Sequence, residues 1–138
     1  MIDIRNQVGR LIEVTIESPT ITSEWKALPI QLHSIHGRLP GKYMYCANIS
    51  RARLLQPEEA APMKKIMQLD NPRLIRTAIY LGSNSATLML QMERLIRETS
   101  NPERKTFRDP QKLISWMSEV TTPEEEERIR ELYSSPAP

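Results

Sequence analysis

The sequence predicts a single α/β domain in which helices flank a mostly parallel or mixed sheet of four strands. A strand pattern followed by a helix pattern occurs three times in succession, and a short fourth strand and two further helices follow. The length of 138 residues is typical of one domain. Because neither a repeat nor a linker divides the chain, we expect one domain over residues 1–138, with a short flexible tail from about residue 134.

The first half of the chain contains two predicted strands with a helix between them. In residues 10–17 the apolar Ile12, Val14 and Ile16 alternate with polar residues, which indicates a half-buried strand. Helical spacing follows after the candidate caps Thr22 and Ser23, and its apolar members are Trp25, Leu28, Leu32, Ile35 and Leu39. Pro29 fits this helix only in its first turn or at a kink. Residues 42–49 are apolar on both faces, which is typical of an interior strand.

The second half alternates in the same way. Gln56-Pro57-Glu58-Glu59 begins a helix, because proline suits the first helical position and acids suit the first turn. Its predicted apolar side is Met63, Ile66, Met67 and Leu69, and Pro62 predicts an irregular first half. A strand over residues 74–81, a turn and a helix follow, the helix with an apolar stripe formed by Leu88, Met92, Leu95, Ile96 and Thr99. A strand at 105–108 and two helices, begun by Asp109-Pro110 and by a Thr122–Glu125 capping box, complete the pattern.

Composition and charge exclude several classes of protein. The net charge is +2 and the basic residues are interspersed with acidic ones, which argues against a nucleic-acid partner. The single cysteine, Cys46, excludes an intramolecular disulfide and fits a reducing compartment. Neither a signal-peptide pattern nor a window of the ~18 apolar residues that span a bilayer is present. We therefore expect a soluble cytoplasmic protein without integral membrane association.

The sequence predicts neither a catalytic nor a metal site. His33 and His36 are spaced so that they could share a helix face, but no neighbouring Cys, Asp or Glu pattern completes a metal-ligand set. Cys46 lies in the middle of a predicted strand among apolar residues, where a thiol is inert. No cofactor motif is present, so we expect no cofactor and no enzymatic activity.

The turn Gly82-Ser83-Asn84-Ser85 is the candidate ligand site. It leads from a strand end into a helix amino terminus, where α/β proteins bind anions, although helix capping alone would also explain its Ser and Asn residues. Arginines flank the second and third strands: Arg51, Arg53, Arg73 and Arg76. They either form an anion-binding patch or pair with Glu58, Glu59 and Asp70 on the surface, and we favour pairing. The candidate contacts are the four turn residues together with Arg51 and Arg76.

Tyr43, Tyr45, Met89 and Met92 allow two interpretations. They belong either to an exposed apolar patch that binds a partner or to the core, and stripe residues at these spacings are more often core.

Four stretches carry a resemblance to a known family: Gly41-Lys42-Tyr43-Met44-Tyr45, Gln56-Pro57-Glu58-Glu59, Arg76-Thr77-Ala78-Ile79-Tyr80, and Phe107-Arg108-Asp109 through Trp116-Met117. With this element order, the chain resembles the STAS-like fold of anti-sigma-factor antagonists, and more closely the small bacterial SpoIIAA-like, STAS/SEC14-type domains. The resemblance implies a STAS-like fold and a regulatory role. Members of this family are phosphorylated on a serine at a helix start, but this chain has Gln56 to Glu59 there and no serine, so the phosphoserine does not carry over. A switch would therefore use Ser50, Ser83 or Ser85.

These observations predict a non-enzymatic regulatory or scaffold domain that acts by binding another protein. The alternative is a carrier of a small ligand or lipid, which would use the Gly82–Ser85 turn. An enzyme of unrecognised type ranks last, because the titratable residues are dispersed along the helices. A homo-oligomer fits either of the two leading classes.

Overall fold

The computed structural model describes residues 1–134 and confirms a single α/β domain. The predicted tail falls almost wholly at residues 135–138, outside the described part. The elements follow in the order β1 (Ile2–Val8), β2 (Leu11–Glu17), α1 (Thr22–Arg38), β3 (Tyr43–Arg51), α2 (Pro57–Asp70), a single 3-10 turn (Asn71–Arg73), β4 (Leu74–Tyr80), α3 (Ala86–Glu98), β5 (Arg104–Phe107), α4 (Pro110–Ser118) and α5 (Pro123–Ser134).

The sheet is mixed and has five strands, so the prediction of four strands was wrong by one. The strands lie in sequence order, β1 pairs antiparallel with β2, and β2 to β5 run parallel. The strand that the sequence pattern did not indicate is β1, which lies at the sheet edge and buries Ile2 and Ile4 only in part. Apart from Val8 its other positions are polar, and the apolar residues stand at positions 2, 4 and 8, so the alternation that marks a half-buried strand is weak there.

The sheet separates two hydrophobic cores, and β3 contributes to both. Tyr43 and Tyr45 face the first core, beneath α1, α2 and α3, while Met44 and Cys46 face the second, beneath α4 and α5. This arrangement confirms the prediction of an interior strand covered on both sides. Tyr43, Tyr45 and Met92 are buried, so the exposed-patch interpretation is wrong for them, and Met89 packs half-buried against the same core.

Both proline-containing helices are continuous. Pro29 lies inside α1 on its exposed side, beyond the first turn, and Pro62 lies inside α2, whose first half was predicted to be irregular. The predicted apolar side of α2 was wrong at one position, because Leu69 is 70% exposed. Positions 63, 66 and 67 face the first core. The next position at helical spacing is 70, so the Asp70 side chain also faces inward.

Within residues 1–134, none of the helices has the length and apolar character needed to cross a bilayer.

The predicted capping box of α5 is confirmed, and it has a second partner far away in the sequence. Thr122 N donates to Glu125 Oε1 at 2.9 Å, and Glu125 N donates to Thr122 Oγ1 at 3.2 Å. The Glu125 carboxylate is 1% exposed and also accepts hydrogen bonds from Arg10, from its backbone N at 2.7 Å and from its Nη2 at 2.9 Å. A Cβ on Gly9, whose φ is +52°, would lie 2.5 Å from Glu125 Oε2. The hairpin turn between β1 and β2 is thus tied to the start of α5.

We predict that Glu125→Gln lowers the free energy of unfolding by about 2 kcal/mol, the scale of a hydrogen bond to a charged group. The loss is smaller than for a fully buried ion pair, because the Arg10 side chain is 37% exposed and keeps part of its hydration. Urea denaturation at neutral pH measures the change. Glu126→Gln is the control, since Glu126 pairs with Arg130 on the helix surface and its loss changes stability by less than about 0.5 kcal/mol.

The same carboxylate makes stability depend on acidic pH. Burial raises the pKa of Glu125, but hydrogen bonds from Arg10 and Thr122 outweigh burial and leave the pKa below its ordinary value of 4.5. Its contribution is therefore present above pH 4.5 and is lost as the pH falls through the folded-state pKa. Between pH 5 and pH 3, about the range over which a carboxyl titrates, wild type should lose more stability than Glu125→Gln. Parallel pH profiles would contradict this assignment.

Candidate binding site at the carboxyl edge of the sheet

The carboxyl ends of the parallel strands β2, β3 and β4 meet at one edge of the sheet, which we call the carboxyl edge. The residue pairing places Glu17 beside Arg51 at the ends of β2 and β3. One step further across the sheet, Asn48 of β3 lies beside Tyr80 of β4. Each of α1, α2 and α3 begins just after the strand that precedes it, so three helix amino termini open onto this edge. Open α/β sheets bind ligands at such an edge.

Gly82 lets the turn after β4 pass close to the end of β3. Its φ is +56°, a conformation that side chains other than glycine rarely adopt. A Cβ at this position would lie 3.3 Å from Ser50 Cβ and 3.4 Å from Tyr80 Oη. The close approach brings the predicted turn to the residues that end β3.

Asn84 holds the turn against β3. Its Nδ2 donates to the carbonyl oxygens of Ile49, Ser50 and Ala52 at 3.1, 3.0 and 2.6 Å. Ser85 caps α3, because its Oγ accepts from Leu88 N at 3.1 Å. The capping interpretation is thus confirmed for Ser85, whereas Asn84 binds the end of β3, a contact that the sequence did not predict.

The remaining turn residues line a cleft of about 540 Å³, the edge cleft. Its walls come from the strand ends, the turn and the last turn of α5, and they are formed by Thr15, Glu17, Asn48, Ser50, Arg51, Tyr80, Gly82, Ser83, Leu132 and Tyr133. A shallower groove of about 620 Å³, the edge groove, adjoins it and shares Ser50, Arg51 and Ser83. Five of the six predicted contacts, all except Arg76, therefore lie on one continuous surface.

The structure places Arg76 elsewhere. It lies near the amino end of β4, where it forms ion pairs with Glu103 at 2.8 Å and Glu119 at 2.7 Å and stacks over the Trp116 ring at 4.5 Å. Arg76 is therefore structural, and its proposed place in the ligand site is withdrawn. The reason is positional, since a residue at the start of a parallel strand cannot reach the edge where that strand ends.

The other arginines also do not form one patch. Arg73 lies over the Tyr43 ring and donates to the backbone oxygens of Gly41 and Leu39, both at 2.7 Å. Arg51 and Arg53 lie at the opposite end of the sheet, in the edge groove. The favoured pairing with Glu58, Glu59 and Asp70 was also wrong: within residues 1–134 none of the four arginines forms an ion pair with those carboxylates, and Arg76 pairs with Glu103 and Glu119 instead.

The side chains of the edge cleft are suited to recognition. Arg51 supplies an exposed cation, Ser50 and Ser83 supply hydroxyls, and Glu17 supplies an anion beside Arg51. The Ser50 Oγ donates to Asn48 Oδ1 at 2.7 Å, which orients both side chains at the cleft floor. Burial raises the pKa of Tyr133 well above its ordinary value, so its phenol stays protonated. These groups can bind a polar or anionic partner by charge and hydrogen bonding.

The two histidines differ in their surroundings. His33 is exposed, while His36 stacks on the Tyr43 ring at 4.3 Å and its Nε2 lies 2.9 Å from Tyr45 Oη. Burial lowers the pKa of His36, against the opposing effect of Asp70. Residues 1–134 contain no group of three side chains placed to hold a metal ion. Cys46 is buried in the second core as predicted, and burial raises the pKa of its thiol.

A buried polar cluster at the amino ends of β3 and β5 was not predicted. Tyr43 Oη donates to Asp70 Oδ1 at 2.7 Å, and His36 Nε2 lies 3.7 Å from the same oxygen. Burial raises the pKa of Asp70, although the hydrogen bonds that it accepts act in the opposite direction. Arg104, also buried, donates from Nη1 to Asn71 Oδ1 at 2.6 Å and from Nη2 to the Met67 carbonyl.

The sequence carried only a weak signal for this cluster. Asp70 is the last residue of α2, and polar residues are common at helix ends, so its sequence position does not indicate that it is buried. Arg104 was left outside the predicted strand, which begins one residue earlier than expected. The helical spacing of positions 63, 66, 67 and 70 is the pattern that could have placed Asp70 inside.

No family model matches this chain, and the curated proteins include no match to it either. The structure defines a single α/β domain with a five-stranded mixed sheet, and the STAS-like resemblance stays a prediction.

We predict that Gly82→Ala destabilises the protein by about 1 kcal/mol or more, because alanine is strained at this positive φ and its Cβ meets Ser50. Gly37→Ala is the matched control. Gly37 lies in α1 with nothing within 4 Å of an added Cβ, so the same change should stabilise by about 0.5–1 kcal/mol. Urea denaturation of both variants gives the comparison. A destabilisation of equal size at the two positions would contradict the role given to Gly82.

We also predict that Asn84→Ala costs about 1–3 kcal/mol, because three carbonyl oxygens at the end of β3 lose their donor. Ser83→Ala should change stability by less than about 0.5 kcal/mol, because Ser83 is exposed on the same turn. Thermal unfolding of the pair measures both effects. Similar melting temperatures for the two variants would show that the turn does not depend on Asn84.

Proposed function

We propose that this chain is a non-enzymatic, cytoplasmic regulatory or scaffold domain that binds another protein through its carboxyl edge. The observation that carries the proposal is the continuity of this edge. Side chains suited to recognition in the edge cleft adjoin an exposed apolar surface between the starts of α1 and α2. The single buried Cys46, which has no cysteine partner in the sequence, is consistent with a reducing compartment.

The apolar side chains of this surface lie in a pocket of about 360 Å³ beside the edge groove, and polar side chains, Glu58 and Glu59 among them, line it as well. Ile21 and Leu54 line it and are 61% and 42% exposed. Ser18 and Arg53 line both the pocket and the groove, so the two are continuous. Interfaces commonly combine an apolar anchor with a polar, charged surround.

The charges indicate an acidic partner segment. Arg51 and Arg53 are exposed, and within residues 1–134 neither forms an ion pair. The positive ends of three helix dipoles point to the same edge. Two nearby carboxylates are occupied, since Glu24 accepts from Ile2 N and Glu59 accepts from Gln56 N and from the Thr20 hydroxyl. Two more lie on the same surface, Glu17 beside Arg51 and Glu58 in the pocket, so an acidic segment must contact the arginines on their open side. We therefore propose a partner that presents acidic side chains next to an apolar one.

Membership of the STAS-like family is part of this proposal. It rests on the four sequence stretches that carry the resemblance and on the alternation of strands and helices. A phosphorylated serine would act here through Ser50 or Ser83, which lie beside Arg51 in the edge cleft.

The second candidate function is the binding of a small polar or anionic molecule in the edge cleft. Its volume of about 540 Å³ falls within the range of ligand pockets in proteins. This function needs no apolar surface beside the cleft, whereas Ile21 and Leu54 provide one. We therefore rank it below protein binding.

Affinity purification from the source cell tests the proposal. We expect full-length wild type to retain a specific protein and Arg51→Glu/Arg53→Glu to bind it more than about tenfold more weakly, because like charges then face each other. Arg38→Glu/Lys42→Glu is the control, since it makes the same charge change at exposed positions near the amino end of β3.

Three outcomes separate the alternatives. Loss of the partner from the edge variant alone supports the proposal. Equal retention by both variants places the interface elsewhere and contradicts it. Native mass spectrometry that finds a bound small molecule and no second chain favours the carrier function.

A further inference from the structure

A partly open cavity reaches into the first core, between the sheet and helices α1, α2 and α3. Its volume is about 90 Å³ and its walls are almost wholly apolar. Voids larger than a water molecule are few in protein interiors, and an engineered apolar cavity of about 150 Å³ takes up benzene. The cavity is therefore of the size that holds a small organic molecule when its walls give slightly.

The cavity has a simple origin in the sheet. Ala47 occupies the middle of β3 on this face, and its neighbours in the adjacent strands are Val14 and Ile79. All three line the cavity, and Ala47 has the smallest side chain of them. Its methyl group leaves the space above β3 unfilled.

Helix α2 forms a loosely packed wall. It buries no apolar side chain completely, and Met63, Ile66 and Met67 line the cavity while remaining half-buried. Met92 of α3 lines the opposite part. Methionine side chains are flexible and polarizable, so this wall can adjust to an occupant.

One end of the cavity is polar and carries balanced charges. Asp70 and Arg104 both line it and are 5% and 4% exposed. Within the described chain, Arg104 lies within 4 Å of no carboxylate oxygen, so its guanidinium is bound only by neutral acceptors on Asn71, Thr99 and Met67. A buried carboxylate beside a buried cation offers an acceptor and a donor with no net charge. A hydroxyl group placed there can donate to Asp70, which also accepts from Tyr43 Oη, and can accept from Arg104.

We propose that this cavity binds a small neutral alcohol with an aromatic or branched apolar body, of the phenol class. The apolar body lies over Ala47 beneath α2, and the hydroxyl lies between Asp70 and Arg104. A charged head group is disfavoured, because either sign meets a like charge at the polar end. This site is separate from the carboxyl edge and does not depend on the function proposed for it.

The probe is phenol, observed through the methionine methyl groups of the full chain by ¹H–¹³C spectroscopy. We expect saturable shifts at Met63, Met67 and Met92. Met44 and Met117 lie in the second core and serve as internal controls that should not move. Toluene and benzoate are the comparison probes, and phenol should bind about tenfold more tightly than either, the scale of one added hydrogen bond to a charged group.

Two variants make the test specific. Ala47→Leu fills the cavity and should abolish the phenol shifts, while Ala61→Leu adds the same volume on the exposed side of α2 and should leave them unchanged. If Ala47→Leu does not fold, Met63→Ala replaces it: the enlarged cavity should then accept 2-naphthol, and the matched Met89→Ala should not.

Several results would overturn the proposal. No saturable shift of the three lining methionines up to the solubility limit of phenol would show that the cavity is closed to ligands. Binding by Ala47→Leu equal to wild type would place phenol elsewhere. Equal affinity for toluene, or tighter binding of benzoate, would refute the role given to Asp70 and Arg104.

Discussion

The structure depends on β3, whose alternate side chains must satisfy two different cores. Tyr43 and Tyr45 pack beneath α1 to α3, and Met44 and Cys46 pack beneath α4 and α5. A shift of one residue in the pairing of β3 would exchange the two sets and place tyrosine hydroxyls in the apolar second core. Because β3 pairs with both β2 and β4, its register also sets the positions of the strand ends at the carboxyl edge.

Polar side chains make hydrogen bonds at both ends of the sheet, but they are partly exposed at the carboxyl edge and buried at the amino end. At the carboxyl edge, the Asn84 amide binds the backbone of β3 and leaves Arg51 and the serine hydroxyls open to solvent. At the amino end, Asp70 and Arg104 are enclosed with Tyr43. Buried charges of this kind are tolerated only when hydrogen bonds replace the lost hydration. One end thus exposes polar groups to solvent, and the other encloses them in the fold.

The hairpin turn and α5 illustrate how distant segments depend on each other. Glu125 caps α5 and binds Arg10, so one buried carboxylate serves both a local and a long-range contact. Gly9 is required because the carboxylate occupies the space that a Cβ would take. The second core is closed by this contact, since α5 carries Ile129 and Tyr133 into it.

The sequence by itself determined the alternation of strands and helices, the interior position of β3, the capping of α3 and α5, and the turn at Gly82 to Ser85, because periodicity and capping are local properties. The tertiary structure decided what depends on neighbours. It added β1, whose sequence alternates only weakly and which forms a strand by pairing with β2. It also separated Arg76 from Arg51, because Arg76 lies near the start of its strand and Arg51 lies at the end of its own, and these are opposite ends of the parallel sheet. It also placed Asp70 and Arg104 inside, because only the packing of α2 against the sheet brings two residues 34 positions apart to the same cavity.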